Sequence, residues 1–458
     1  MKMIRKYVNH LKRPCHTFVR VMAYNLLIKA DKEGLELASA AISQGQLIAF
    51  PTETVYGLGA NALDANAVLS IFEAKGRPLS DPLIVHVADI ASAMNLVSID
   101  TKTEQVFRIL AGEFWPGPLT VILKAAQCIP RAVTANSGFV GIRIPSHPLA
   151  LEFLKTCNLP VAAPSANRFG HVSPTRAQHV IDDLGEKGVR VLDGDSNEHL
   201  SGHTCLHGIE STVLKIDAEG SRVVILRQGA VSQHQIEQQL SRCIDTVSNW
   251  TVESIHRAVP MPHPSSPEGS GPSEERGCSE GGEVAPGQLV THYAPYIPCY
   301  VLASATSSET GSISDVCVYP ASMQLPGGGG MERYTRKSMA ISRRDLLSGA
   351  VVIDFGGQLS WLADKCLAYR DMSASGSTVG AAKVIFSVLR WAEIQQGASI
   401  VLIAPVIATS SAPDEDRCRD NMSDMNVESR NRIFDPSLGL ADRIFRSASG
   451  VAVDIVIE

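Results

Sequence analysis

The stretch GLELASAAISQGQLIAFPTETVYGLG, residues 34–59, holds the pattern from which the fold is read. Over residues 31–44, Leu35, Leu37, Ala38, Ala41 and Ile42 recur at helical spacing, and Gly45 then stops the helix. Leu47-Ile48-Ala49-Phe50 is short, apolar and ended by Pro51, as a buried strand would be. Working outward, residues 64–75 read as a second helix and Leu83-Ile84-Val85-His86-Val87 as a strand. Strand signals at Leu119–Leu123, Val140–Ile144, Val161-Ala162-Ala163, Val189–Leu192, Ser211–Ile216 and Val223–Leu226 interleave with helical ones at Pro148–Thr156 and from Ala177. Such alternation predicts an α/β domain around a large sheet. Strands at both short and long separations predict a mixed sheet rather than a purely parallel one.

The chain has 458 residues, which at roughly 150 residues per domain predicts two or three domains. With 45% hydrophobic and 19% charged residues the composition is globular, which excludes global disorder. The 41 basic and 47 acidic residues leave a net charge of −6, so no overall basic field draws the chain to nucleic acid or membrane. Residues 1–30 hold seven Lys/Arg and no acid. They read as a solvated extension, with a transit peptide as the alternative. No apolar run reaches the ~18–20 residues of a membrane span, and no secretory signal is evident. The ten cysteines form no CxxC pair, which fits free thiols in a reducing, cytoplasmic setting.

Residues 261–287 are dense in Pro, Gly, Ser and Glu and read as a linker. Beyond it, Pro298–Ala303, Ser314–Tyr319, Ala350–Phe355 and Ser399–Ile403 are strand-like and Val379–Glu393 is helical, a second, smaller α/β unit. Residues 324–331 and 410–426 read as insertions into it.

Four polar segments sit at strand ends. Pro51-Thr52-Glu53-Thr54-Val55-Tyr56-Gly57-Leu58-Gly59 reads as a Gly-rich turn that lets backbone amides approach a small polar ligand. Lys75-Gly76-Arg77-Pro78 puts two cations on a turn, where both can face one polyphosphate or simply favour a helix C-terminus. Ala163-Pro164-Ser165-Ala166-Asn167 offers hydroxyl and amide groups to phosphate oxygens or a base edge, or is an ordinary Asx turn. Gly208-Ile209-Glu210-Ser211-Thr212-Val213 enters a strand, and Arg143 lies where it could pair a carboxylate at two points; solvated strand ends are the alternative. His199, His203, Cys205 and His207 form the nearest metal candidate, but the glycines around them favour a loop.

Taken in order, FPTETVYGLG, IFEAKGRPLSDPLIVHV, FWPGPLT, GIRIP, APSAN, GIEST and LRQG resemble the threonylcarbamoyl-AMP synthase family in its two-domain form, over nearly all of residues 31–232. The resemblance resumes at PGQ (286–288) and HYAP (292–295), and more weakly at Leu438–Arg443. It implies a YrdC-like catalytic domain with a twisted mixed sheet, followed by a smaller Rossmann-like α/β domain. The implied map is a basic extension (1–30), the catalytic domain (31–258), a linker and lid segment (259–297) and the C-terminal domain (298–458). It also implies L-threonine, bicarbonate or carbon dioxide and ATP as substrates, with Mg2+ accompanying the ATP. The products would be threonylcarbamoyl-AMP and pyrophosphate, the adenylate passing to a tRNA threonylcarbamoyl transferase machinery, with weak tRNA binding as a further implied contact.

The resemblance carries roles to single residues. Lys75 and Arg77 match the pair on the triphosphate, which would make them the catalytic cations. Asp81, Ser165, Asn167, Ser173, Arg227 and Tyr293 match further ATP positions, although at 81 the family often has Asn. Thr54, His86, Arg143, Ala163 and Ser211 match threonine positions, with Arg143 on the carboxylate. The stretch Asp193–His207 is longer than the family's usual turn. A double-stranded RNA or tRNA binder of the same fold is the rival reading, against which the acidic balance of residues 31–258 argues.

Overall fold

The computed structural model describes residues 26–196, 204–243, 250–255, 292–307, 335–341, 348–406, 436–449 and 451–457. The basic extension, the linker through residue 291, the two insertions, His199, His203 and the expected strand Ser314–Tyr319 lie outside the described residues.

The first sheet has eleven strands: β1 (Leu27–Ile28), β2 (Ile48–Phe50), β3 (Gly57–Asn61), β4 (Ile84–His86), β5 (Leu119–Lys124), β6 (Phe139–Arg143), β7 (Val161–Ala162), β8 (Arg190–Leu192), β9 (Thr212–Asp217), β10 (Arg222–Arg227) and β11 (Thr251–Ser254). Their order is β1-β8-β2-β3-β7-β4-β6-β5-β9-β10-β11. The β4/β6 and β5/β9 pairs are parallel, whereas β2/β3, β5/β6 and β9/β10 are antiparallel, so the sheet is mixed as expected. By these pairings β4, β6 and β10 run the same way. Their last residues, His86, Arg143 and Arg227, therefore reach one end of the sheet.

The segment Gly57–Asn61 differs from expectation: it is a strand, antiparallel to β2, and not a turn. Its glycines allow close packing. A Cβ on Gly59 would lie 2.8 Å from Val161 Cγ1 and 3.0 Å from the Phe50 ring. The helices Thr101–Phe114 and Gln233–Arg242 were also not foreseen.

Helix Ala65–Lys75 shows how local chemistry places the site. The Asp64 carboxylate caps its first turn, accepting from the backbone N–H of Asn66 and Ala67. Gly76 ends it with a φ of 65°, a conformation that favours glycine. Lys75 and Arg77 thus flank a sharp turn, as the sequence indicates.

The second sheet comprises β12 (Cys299–Ser307), β13 (Thr335–Ile341), β14 (Ala350–Asp354), β15 (Ala368–Asp371), β16 (Ile400–Ile403) and β17 (Val451–Ile457), in the order β13-β17-β12-β16-β14-β15. Every pair in it is parallel. Helix Thr378–Glu393 buries Ala381, Ile385, Phe386 and Leu389. The core of this unit also takes in Val55, Val172 and Ile209 from the first unit and Tyr293 from the connecting segment, so the two units share apolar packing.

Candidate active site

A cleft opens where the first sheet meets the connecting segment. Of the residues expected at the site, Thr54, Arg77, His86, Arg143, Ala163, Ser165, Ser211, Arg227 and Tyr293 line it. The loop 163–167 is stitched in place by backbone bonds: Ala163 N–H to Ile84 O, Leu58 N–H to Pro164 O and Ala166 N–H to Tyr56 O. Arg227 stands beside a register shift between Ile225 and Arg227, a bulge that re-aims the strand end. Its guanidinium donates to Ser211 O (3.0 and 3.1 Å) and to Ser211 Oγ (3.1 Å), and Ser211 Oγ also meets Thr120 Oγ1 at 2.8 Å.

Lys75, Asp81, Asn167 and Ser173 do not line the cleft but support it. The Lys75 ammonium, buried, donates to the carbonyls of Ser165 and Asn167, so it braces the loop as well as lending it charge. Arg77 donates to the Asp81 and Pro82 carbonyls (3.1 and 2.8 Å) and pairs with the Asp81 carboxylate at 2.9 Å. Asp81 is therefore the counter-ion of Arg77. That contact is an ion pair rather than a well-aligned hydrogen bond, for neither Asp81 oxygen accepts one. Asn167 Nδ2 donates to the Arg168 and His171 carbonyls, and its Oδ1 is buried without a partner. Ser173 Oγ donates to Glu210 at 2.6 Å.

The electrostatics follow from burial. Burial, then the neighbouring Arg77, pulls the Lys75 ammonium well below its ordinary pKa. Burial also lowers Arg77 and Arg227 and raises Asp81. His86 falls to about 3, chiefly by burial and next by Arg143, so its imidazole is neutral near pH 7; its Nδ1 has no partner. A cluster of cations held dry in this way is poised to gain from a polyanion.

Several functional groups escaped the sequence reading. Glu53 pairs with Arg143 Nη2, while Arg143 Nη1 donates to Thr54 Oγ1 at 3.0 Å and Nε to Gly117 O at 3.2 Å. Burial would raise the Glu53 carboxyl, but Arg143 outweighs it and holds the pKa low. Arg143 is thus already committed to a buried carboxylate, where a free fork was expected. Its partners are 26, 89 and 90 positions away, beyond any local pattern. Glu210 and His292 also line the cleft, His292 beside the expected Tyr293 in a connecting segment fastened by Ala294 N–H to Gly170 O (3.0 Å). Cys205 and His207 are tied through backbone N–H to Thr52 O and Glu53 O. Among the described residues no three His, Cys, Asp or Glu side chains could jointly hold a metal ion, and no helix is long and apolar enough to cross a membrane.

Comparison with known proteins gives consistent matches. The family model described as "Telomere recombination" matches residues 40–229, and that described as "Threonylcarbamoyl-AMP synthase, C-terminal domain" matches residues 231–417. The chain is 39% identical over 271 residues to the threonylcarbamoyl-AMP synthase of Pyrococcus abyssi, covering 59% of this chain and 68% of that protein. It is 40% identical over 265 residues to that of Bacillus subtilis, covering 57% of this chain and 64% of that protein. Among solved structures, P. abyssi Sua5 complexed with L-threonine superposes with a TM-score of 0.60 at 25% identity, over 93% of this chain and 99% of that one.

Proposed function

Because the chain belongs to the threonylcarbamoyl-AMP synthase family, we propose that it makes L-threonylcarbamoyladenylate and pyrophosphate from L-threonine, bicarbonate or carbon dioxide, and ATP. The observation that carries this reading is the meeting of Arg77, Arg143 and Arg227 with Thr54, Ser165 and Ser211 in one cleft, braced by Lys75.

The chemistry needs no protein nucleophile. The threonine amine, once uncharged, attacks carbon dioxide to give a carbamate. A carbamate oxygen then attacks the α-phosphorus, the bond from that phosphorus to the α,β-bridging oxygen breaks, and pyrophosphate leaves. Such a reaction gains most from positioning and from fixed cations. Arg77 and Arg227 would hold the phosphates, with Lys75 adding charge from behind the 165–167 loop, Ser165 and Tyr293 beside the nucleotide, Asn167 and Ser173 supporting them and Asp81 setting Arg77. Mg2+ would enter with the ATP, taking phosphate oxygens and water as ligands.

Threonine would lie between Thr54, His86, Arg143, Ala163 and Ser211. Arg143 would take the carboxylate while remaining tied to Glu53. The free Oε2 of Glu53 and the free Nδ1 of His86 could then accept from the amino group. The adenylate would go to the machinery that modifies the adenosine next to the tRNA anticodon. Weak tRNA contact and a cytoplasmic setting belong to the same proposal.

The test is mass spectrometry of the product from labelled threonine and ATP, with pyrophosphate release measured in parallel. Release should require threonine and bicarbonate together, without RNA. Release independent of threonine, or a product lacking the label, would overturn the reading.

A further inference from the structure

The loop 208–211 is pinned between two helices of the C-terminal unit. A Cβ on Gly208 would lie 2.1 Å from Ala382 O in helix Thr378–Glu393. On the other side, a Cβ on Gly439 in helix Ser437–Ser447 would lie 2.8 Å from Ile209 Cδ1 and 2.9 Å from Gly229 O. Only glycines permit backbones to approach this closely.

From that helix Arg443 reaches inward, with no exposed surface. Its Nε donates to Glu210 Oε2 at 2.9 Å, and its Nη1 donates to Gln228 O at 2.6 Å and to Asp442 at 2.9 Å. Its guanidinium carbon lies 5.3 Å from the Tyr293 ring centre, within cation–π range. Glu210 uses its other oxygen to accept from Ser173 Oγ. Glu210 and Tyr293 both line the cleft, and Gln228 follows Arg227 directly. Tyr293 has a φ of 60°, which a residue with a side chain keeps only when its surroundings hold it there. Helix packing alone would be met as well by an apolar side chain, since a buried arginine costs desolvation that must be matched by partners.

We propose that Arg443 is a positioning residue of the active site: it reaches across from the C-terminal unit and holds Glu210, Tyr293 and the Arg227–Gln228 backbone in the arrangement that receives ATP. This rests on the reading of the cleft as the adenylate-forming site. The C-terminal unit would then be part of the catalytic apparatus rather than an appendage to it.

The experiment uses the full chain with Arg443→Met, Arg443→Lys, Glu210→Gln and the double variant Arg443→Met/Glu210→Gln. Three readouts are taken on each: equilibrium ATP binding, the KM for each substrate in pyrophosphate release, and the melting temperature. Arg443→Met should weaken ATP binding and raise its KM by about tenfold or more, with the threonine KM moving less than about threefold. Arg443→Lys should recover part of the loss. The double variant should be no worse than the worse single one, because both changes cut the same chain of contacts.

A fall in melting temperature with both KM values unchanged would overturn the proposal, as would additive losses or equal shifts in both KM values. Should Arg443→Met not fold, Arg443→Lys and Glu210→Gln carry the same comparison. A wild-type chain without threonine-dependent release would overturn the synthase reading instead, and the ATP-binding shift would still report on Arg443.

Discussion

Replacing Arg143 by lysine tests the proposed threonine end of the cleft. Arg143 spreads three nitrogens over Glu53, Thr54 Oγ1 (3.0 Å) and Gly117 O (3.2 Å). Lysine brings one nitrogen. It should stay with Glu53, because leaving that buried carboxylate unpaired costs about 3–5 kcal/mol. The bonds to Thr54 and Gly117 are then lost, and so is the second point of attachment for the substrate carboxylate. One charge-assisted hydrogen bond is worth about 1.5–3 kcal/mol, so the threonine KM should rise about 10- to 150-fold. The ATP KM should change less than about threefold, since Arg77 and Arg227 are untouched. Pyrophosphate release is the assay, with each substrate titrated at saturation of the other. Equal rises in both KM values, or no rise in either, would refute the assignment of Arg143 to the threonine carboxylate.

Lys75→Ala and Arg77→Ala should each add about 2–4 kcal/mol to the barrier, read as turnover at saturating ATP. Lys75→Ala should also lower the melting temperature, since the ammonium holds two loop carbonyls; unchanged turnover in both would show that the triphosphate lies elsewhere. Tyr293→Ala should lower the yield of intact adenylate per pyrophosphate released, by admitting water to a mixed anhydride; an unchanged ratio counts against a lid. His171 lies between Asp183 (2.9 Å) and Glu393 (3.0 Å) at the contact of the two units, with Arg390 on Asp183 and Tyr296 stacked on its ring. Burial would lower its pKa, but the two carboxylates outweigh it and raise it above the ordinary 6.5. Its stabilising contribution is therefore full below pH 6.5 and lost as pH rises through the raised value. The melting temperature should fall over that window in the wild type and not in His171→Gln; parallel curves would exclude the His171 link.

What was legible in the sequence was whatever is local. Alternating apolar runs located most strands and helices, and Gly76 and Pro78 marked the turn that carries Lys75 and Arg77. The strand Gly57–Asn61 was misread because glycines signal turns, whereas here they make room for Val161 and Phe50. Lys75 and Arg77 looked like surface cations on a turn. Both are buried, because the loop 165–167 and Asp81 fold over them. The placement of Glu53 against Arg143, and of Glu210 against Arg443, depends on contacts 90 and 233 positions apart. Neither helical nor strand spacing extends that far.

In the second sheet β17 follows every other strand in sequence yet lies between β13 and β12. A ribosome adding roughly 5–20 residues per second exposes Glu210 for roughly 12–47 s before the 233-residue interval to Arg443 is complete. During that time the cluster shared by Val55, Val172 and Ile209 lacks Leu440 and Ile444, and β12 shows an open edge where β17 will lie. The nascent chain thus carries Lys75, Arg77 and Arg227 long before the helix that bears Arg443. If Arg443 arranges the cleft as proposed, adenylate formation waits for translation of the C-terminal helix, and a chain stopped before it lacks the strand that covers the edge of β12.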